Sequence, residues 1–203
     1  MSKLKSTFTE GVAIGPCKTR EDVALLCKEN GYNKRGVELG VGRGKFTFKV
    51  CNYFEEFWAV DWWDLEVHEA PYFAIRHGVN EYEKVKELSK NPDITTKLNV
   101  VRANFDSMVE KFDDHFFDFI HIDGYATEDE QFNRNLDNWY KKVKPGGIFS
   151  GHDVQYPRIE HRIRQFAEEK NLTLNITGEK WYNPKPGKPK RICTNGPAWW
   201  FQL

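Results

Sequence analysis

The stretch Arg35–Lys45, Arg-Gly-Val-Glu-Leu-Gly-Val-Gly-Arg-Gly-Lys, constrains the fold of this chain more than any other, because a short apolar run passes through an acid into three alternating glycines. Glycine has no Cβ and takes positive φ at little cost, so a turn built this way lets main-chain N–H groups close on a ligand. Between a strand and a helix, such a turn is a nucleotide cradle. Its spacing narrows the ligand. A dinucleotide loop runs G-x-G-x-x-G, yet the third glycine here is Gly44, one position early, and Lys45 stands where that glycine would fall. Counting back from Gly40, Glu38 completes the pattern E-x-G-x-G-x-G. A glycine-rich turn that binds nothing is the alternative for this segment taken alone.

The remaining chain alternates strand and helix patterns. Residues 1–18 show no period and read as a lead-in to a core over 19–203, the whole forming one domain. Thr19 offers an N-cap ahead of a helix over Arg20–Asn30. Gly36–Leu39 is the first strand, Phe46, Phe48, Val50 and Cys51 mark the helix after the glycine loop, and Phe57–Val60 is a second strand that ends at Asp61. Asp61 follows Glu38 by 61 − 38 = 23 residues. An acid at the tip of the second strand accepts hydrogen bonds from both hydroxyls of a ribose, although strand-end aspartates also serve as turn residues. Trp62 and Trp63 either cover an adenine face or pack the sheet edge.

A helical stretch with Tyr82, Val85 and Leu88 on one face leads to a third strand, Leu98–Ala103, followed by Asn104, Phe105 and Asp106, where an adenine amino group would lie in a doubly wound sheet. Phe116–Ile122 is a fourth strand, apolar enough to be covered on both faces, and it ends in Asp123-Gly124. Thr127 and Glu130 make a capping box before a helix carrying Phe132, Leu136, Trp139 and Val143, which Pro145-Gly146-Gly147 ends. Ile148–Ser150 is the fifth strand, closing with Gly151-His152-Asp153, and Ile159, Ile163, Phe166 and Ala167 mark another helix. Leu172–Ile176 and Ala198–Phe201 are strands with no helix between them, hence an antiparallel pair.

Thirty basic residues balance thirty acidic ones, so the overall charge favours neither nucleic acid nor an anionic membrane. A homo-oligomer is compatible with the chain. The four cysteines lack C-x-x-C spacing, the amino terminus lacks a leader pattern, and no apolar run reaches membrane-spanning length, so a reduced, cytoplasmic protein is expected. Lys185, Lys188, Lys190 and Arg191 form a proline-spaced basic loop, read as solvated, with contact to an acidic or phosphate-bearing acceptor as the alternative.

Four segments carry a family resemblance. The loop with Glu38 resembles the first motif of class I S-adenosylmethionine (AdoMet) methyltransferases. Asp118-Phe119-Ile120-His121-Ile122-Asp123-Gly124, then Lys144-Pro145-Gly146-Gly147 behind a tryptophan-bearing helix, then Gly151-His152-Asp153, resemble the branch grouped with macrocin O-methyltransferase. The resemblance implies a Rossmann-like, doubly wound α/β fold with a seven-stranded, mostly parallel sheet and a C-terminal antiparallel hairpin. It implies that Gly40, Gly42 and Gly44 wrap the methionine end of AdoMet while Glu38 helps hold its ammonium group. Asp61, Trp62, Asn104, Phe105 and Asp123 complete the expected cofactor contacts. Asp123 and Asp153 are the implied metal ligands, a pair of carboxylates suited to Mg²⁺. Transfer to a hydroxyl of a sugar or other small molecule is the implied activity, with Asp123 or His152 taking the proton.

One position departs from the branch. Many relatives read D-G-x-H-S-Y-E after the fourth strand, whereas this chain places Ala126 at the histidine position, so either the base differs, with His152 the best replacement, or the acceptor chemistry is lost or altered. An AdoMet-binding module without catalysis is a second reading on that ground. A nicotinamide enzyme is a third, disfavoured by Lys45 and the terminal hairpin. His121, in mid-strand, reads as a packed residue, and Asp153 could instead cap the following helix.

Overall fold

The computed structural model describes residues 13–14, 16–63, 79–124, 130–177 and 197–203. Among them lies one sheet of eight strands in the order β1-β7-β8-β6-β5-β2-β3-β4. Its strands are β1 (Ala13–Ile14), β2 (Arg35–Leu39), β3 (Glu56–Asp61), β4 (Lys97–Arg102), β5 (Phe117–Ile122), β6 (Val143–Gly151), β7 (Asn175–Ile176) and β8 (Trp199–Gln202). Strands β2 to β6 run parallel, and β8 inserts antiparallel between β6 and β7. This is the doubly wound sheet with antiparallel terminal strands that the sequence predicts. The addition is β1, which falls in the lead-in and pairs parallel with β7 at the edge.

Two-residue alternation sends the side chains of β2 to opposite faces. Val37 and Leu39 join the larger apolar cluster with Trp139, Ile163 and Phe166 from helices α5 (Glu130–Tyr140) and α6 (Pro157–Lys170). On the other face, Phe57, Phe119, Ile148 and Trp200 pack with Val23, Cys27, Phe46 and Val50 from α1 (Arg20–Glu29) and the region of α2 (Thr47–Val50). Each fully buried large side chain contributes roughly 1.5–3 kcal/mol. Helix α1 starts where Thr19 predicts, with a reciprocal capping box: Thr19 Oγ1 accepts from the Asp22 N–H, and Asp22 Oδ2 accepts from the Thr19 N–H.

Several boundaries differ from the sequence reading. Val143 opens β6 instead of extending α5, which ends at Tyr140, and Pro145-Gly146-Gly147 lies inside the strand. The register explains this: Phe117 pairs with Val143 and Phe119 with Ile148, so the segment between is a bulge. Gly146 makes it with φ of 85°, and a Cβ there would lie 1.7 Å from Tyr32 Oη. The helix after the glycine loop is only α2 plus a 3₁₀ turn over Cys51–Tyr53. In α3 (Val79–Leu88), Val85 is buried but Leu88 is half exposed. Thr127 of the expected capping box, Ala126 and the basic loop at 185–191 lie outside the described residues.

Candidate active site

At the carboxyl end of β2 the chain must turn between the tips of β3 and β5. The Gly40 N–H donates to Val60 O at 2.9 Å, and the Asp123 N–H donates to Leu39 O at 2.7 Å. Gly40 has φ of 95°, and a Cβ on it would meet the Asp123 carbonyl oxygen at 2.4 Å. No other residue fits there. Gly42 and Gly44 also have positive φ, 52° and 74°. The three alternating glycines thus form one left-handed bend at the strand tips.

Asp61 ends β3 beside this bend. Its Oδ2 accepts from the Gly42 N–H at 2.8 Å and its Oδ1 from the Trp63 N–H at 3.0 Å. A carboxylate has about four acceptor positions, so this leaves capacity for ribose hydroxyls. Trp63 is buried and donates through Nε1 to Gly42 O at 2.9 Å, so the Gly42 residue is held on both its N–H and its C=O. Trp62 is 45% exposed and available to a ligand face. The two tryptophans therefore divide the alternatives between them, Trp63 packing and Trp62 open.

On the tip of β4, Asn104 caps α4 (Phe105–Val109), its Oδ1 accepting from the Asp106 N–H at 2.8 Å. Asp106 is engaged by Arg134 and by Asn135. The Phe105 ring lies so close to Gly124 that a Cβ there would come within 2.5 Å of it. Asn104, Phe105 and Asp123 are thus brought to the same end of the sheet as the bend.

Glu38 is buried, in register with Ala59 of β3 and His121 of β5. Thr47 Oγ1 donates to Glu38 Oε2. Burial pushes the Glu38 carboxyl up to about 8, against the pull of Arg20 and the Thr47 hydrogen bond. Arg20, the first residue of α1, donates from Nη1 to Asp123 Oδ2 at 2.5 Å. His121 is wholly buried behind the site, with Nδ1 3.0 Å from Ser150 Oγ and its ring against Phe46. It is the packed residue the sequence suggests.

The tips of β5 and β6 bring Asp123, His152 and Asp153 together. His152 Nδ1 lies 3.3 Å from Asp123 Oδ1 and 3.0 Å from Asp153 Oδ1. Burial disfavours the imidazolium, but the two carboxylates outweigh it and raise His152 to about 10. Burial likewise opposes ionisation of Asp123, yet His152 and Arg20 hold it down at about 2. Between the two carboxylates the protonated ring is favoured, and His152 must give up that proton before it can act as a base or as a metal ligand. Asp153 does not cap α6 with its side chain; Tyr156 is the N-cap, and Asp153 contributes only its carbonyl, to the Tyr156 N–H at 2.9 Å. Its own φ is 64°. One donor atom from each of these three residues lies within 4.8 Å of the others, a set that fits a divalent cation.

Sequence reasoning passed over Arg20 and Thr47 as site residues and the indole bond of Trp63. Thr47 lies three residues past Gly44, where a helix facing back onto the acid could have suggested it. For Arg20 no local signal existed.

A family model for a methyltransferase domain matches residues 37–154, the span from β2 to just past Asp153. The chain belongs to that family, the class I methyltransferases, whose cofactor is AdoMet. Solved structures with the same fold include a Staphylococcus aureus protein provisionally named a caffeoyl-CoA O-methyltransferase (TM-score 0.61, 13% identity, 95% of this chain and 86% of that one). Others are the N-methyltransferase NodS from Bradyrhizobium japonicum WM9 (0.57, 16%, 90% and 93%) and an rRNA methylase from Streptococcus thermophilus (0.59, 9%, 89% and 94%). Two further matches are longer, and this chain spans 49% and 48% of them. No curated protein matches the sequence. The named acceptors differ in kind, so at these identities the likeness establishes the fold alone.

Proposed function

We propose that this protein is an AdoMet-dependent O-methyltransferase of the macrocin-like branch, acting on a small hydroxylated molecule such as a sugar with help from a divalent metal. The observation that carries the reading is the meeting, at one end of the sheet, of the Gly40–Gly44 bend with Asp61 and of the Asp123–His152–Asp153 cluster. Gly40, Gly42 and Gly44 wrap the methionine end, Glu38 faces its ammonium, Asp61 takes the ribose hydroxyls, and Trp62, Asn104 and Phe105 flank the adenine. AdoMet supplies an activated sulfonium methyl, and the protein's task is alignment of the acceptor oxygen with it.

Asp123 and Asp153 would hold Mg²⁺, and His152 widens the choice to ions that accept imidazole. Such an ion lowers the pKa of a bound hydroxyl. Asp123 or His152 receives the acceptor's proton. His152 can do so only once it has lost the proton it holds between the two carboxylates. An AdoMet-binding module without turnover is the second reading, favoured by Ala126 and by the charged state of His152.

Incubation with methyl-labelled AdoMet and a panel of sugars and phenols, with Mg²⁺, with Mn²⁺ or with chelator, separates these. Labelled methyl ether that falls at least tenfold with chelator and in Asp153→Asn supports the proposal. Label on nitrogen or RNA, transfer indifferent to chelator, or no transfer to any component of a cell extract contradicts it.

A further inference from the structure

If AdoMet binds as proposed, its methionine end brings two opposite charges to the glycine bend, an ammonium and a carboxylate. Glu38 and Asp123 answer the first. A carboxylate placed beside the ionised Asp123 with no cation between them would be repelled by it.

Arg20 opens α1 and reaches across to the tips of β2 and β5. Its Nη1 donates to Asp123 Oδ2 at 2.5 Å, its Cζ lies 4.8 Å from the ring centroid of Phe46, and its side chain is 15% exposed. Phe46 follows Gly44 by two residues, so the guanidinium sits in a corner between the end of the bend and the β5 acid. Both Asp123 and Glu38 act electrostatically on it. Among the described residues, the cations on Asp123 are Arg20 and His152. His152 is committed to two carboxylates, and its Nε2 is buried without a partner. Arg20 differs: its planar fork has five N–H donors, Asp123 takes one through Nη1, and the fork matches a carboxylate in two-point contact.

We infer that Arg20 receives the α-carboxylate of the cofactor and bridges it to Asp123. The ring of Phe46 orients the guanidinium plane before the ligand arrives. Binding then adds a carboxylate to a cation already in place, and the acids keep the ammonium.

The test is calorimetric titration of the full chain with S-adenosylhomocysteine and with its decarboxylated counterpart, which keeps the amine. Wild type is expected to prefer the carboxylate-bearing compound at least tenfold. Arg20→Met should bind S-adenosylhomocysteine at least tenfold more weakly and lose the preference, while the decarboxylated compound binds as before or better. Arg20→Lys, which keeps the charge and loses the fork, should fall between. Because the readout is a ratio of two ligands on one preparation, a partly unfolded fraction does not distort it. A preference retained in Arg20→Met overturns the inference alone; failure of wild type to bind either compound overturns the cofactor reading with it.

Discussion

Glu38 shows how one side chain ties stability to function. Its carboxyl, raised by burial to about 8 from an unfolded value of 4.5, keeps in the folded chain a proton that the unfolded chain releases above pH 4.5. Stability from this group therefore falls as pH climbs between 4.5 and 8 and levels off above. Glu38→Gln has no such titration. In urea unfolding it should gain on wild type progressively from pH 5 to pH 8, while its affinity for S-adenosylhomocysteine drops roughly tenfold or more, because the ligand's ammonium draws the proton off Glu38 in wild type and meets only a neutral amide in the variant. Identical pH slopes for the two proteins would contradict the burial argument. Trp63→Phe keeps the packing but removes the Nε1 bond to Gly42 O, worth about 0.5–1.5 kcal/mol. The melting temperature should fall by a few degrees, roughly 2–4 °C per kcal/mol, and affinity for S-adenosylhomocysteine about two- to tenfold; a lower melting temperature with affinity unchanged would make Trp63 merely structural. Glu38, Asp61 and the glycines were legible because strand, acid and turn are neighbours in sequence. Arg20 was not, since it meets Asp123 across 103 residues and only the fold brings them together.

At the scale of elements, glycine carries different burdens at two ends of the same sheet. Gly146 allows the β6 bulge against Tyr32, in the half of the strand remote from the site, whereas Gly40 fits the bend against Asp123. Gly146→Ala should cost stability, at least the roughly 1–3 kcal/mol of a left-handed alanine, and leave S-adenosylhomocysteine affinity within about twofold of wild type. Gly40→Ala should lose both. Urea unfolding and ligand titration on the same samples check this, and a binding defect in Gly146→Ala would contradict it. The Pro145-Gly146-Gly147 run also shows why element boundaries resist sequence reading. Proline and glycine mark a break in regular structure, but whether the break ends a helix or bulges a strand is decided by the neighbouring strand's register, here that of β5. The order of strands and helices survived because each apolar period needed a partner face, and the doubly wound sheet supplies both.

For the molecule as a whole, five parallel strands and an inserted antiparallel one place every proposed ligand contact at one end of the sheet. Among the described residues no helix is long and apolar enough to cross a membrane. The His152 cluster gives the molecule a pH signature that a surface histidine, with the same pKa folded and unfolded, does not have. Raised from 6.5 to about 10, His152 stabilises the fold fully below pH 6.5, and that contribution is lost as pH rises through 10. His152→Asn should therefore narrow the stability difference between pH 6 and pH 10, and chemical denaturation at both pH values reads it. Acceptor specificity was not legible, because it depends on loops whose composition carries no period. The central claim is that the bend and the strand-tip acids form an AdoMet site, and calorimetric titration of the intact protein with S-adenosylhomocysteine and, separately, with NAD tests it most directly. Saturable one-site binding of the first and none of the second is expected; no heat with S-adenosylhomocysteine, or saturable binding of NAD, would rule such a site out.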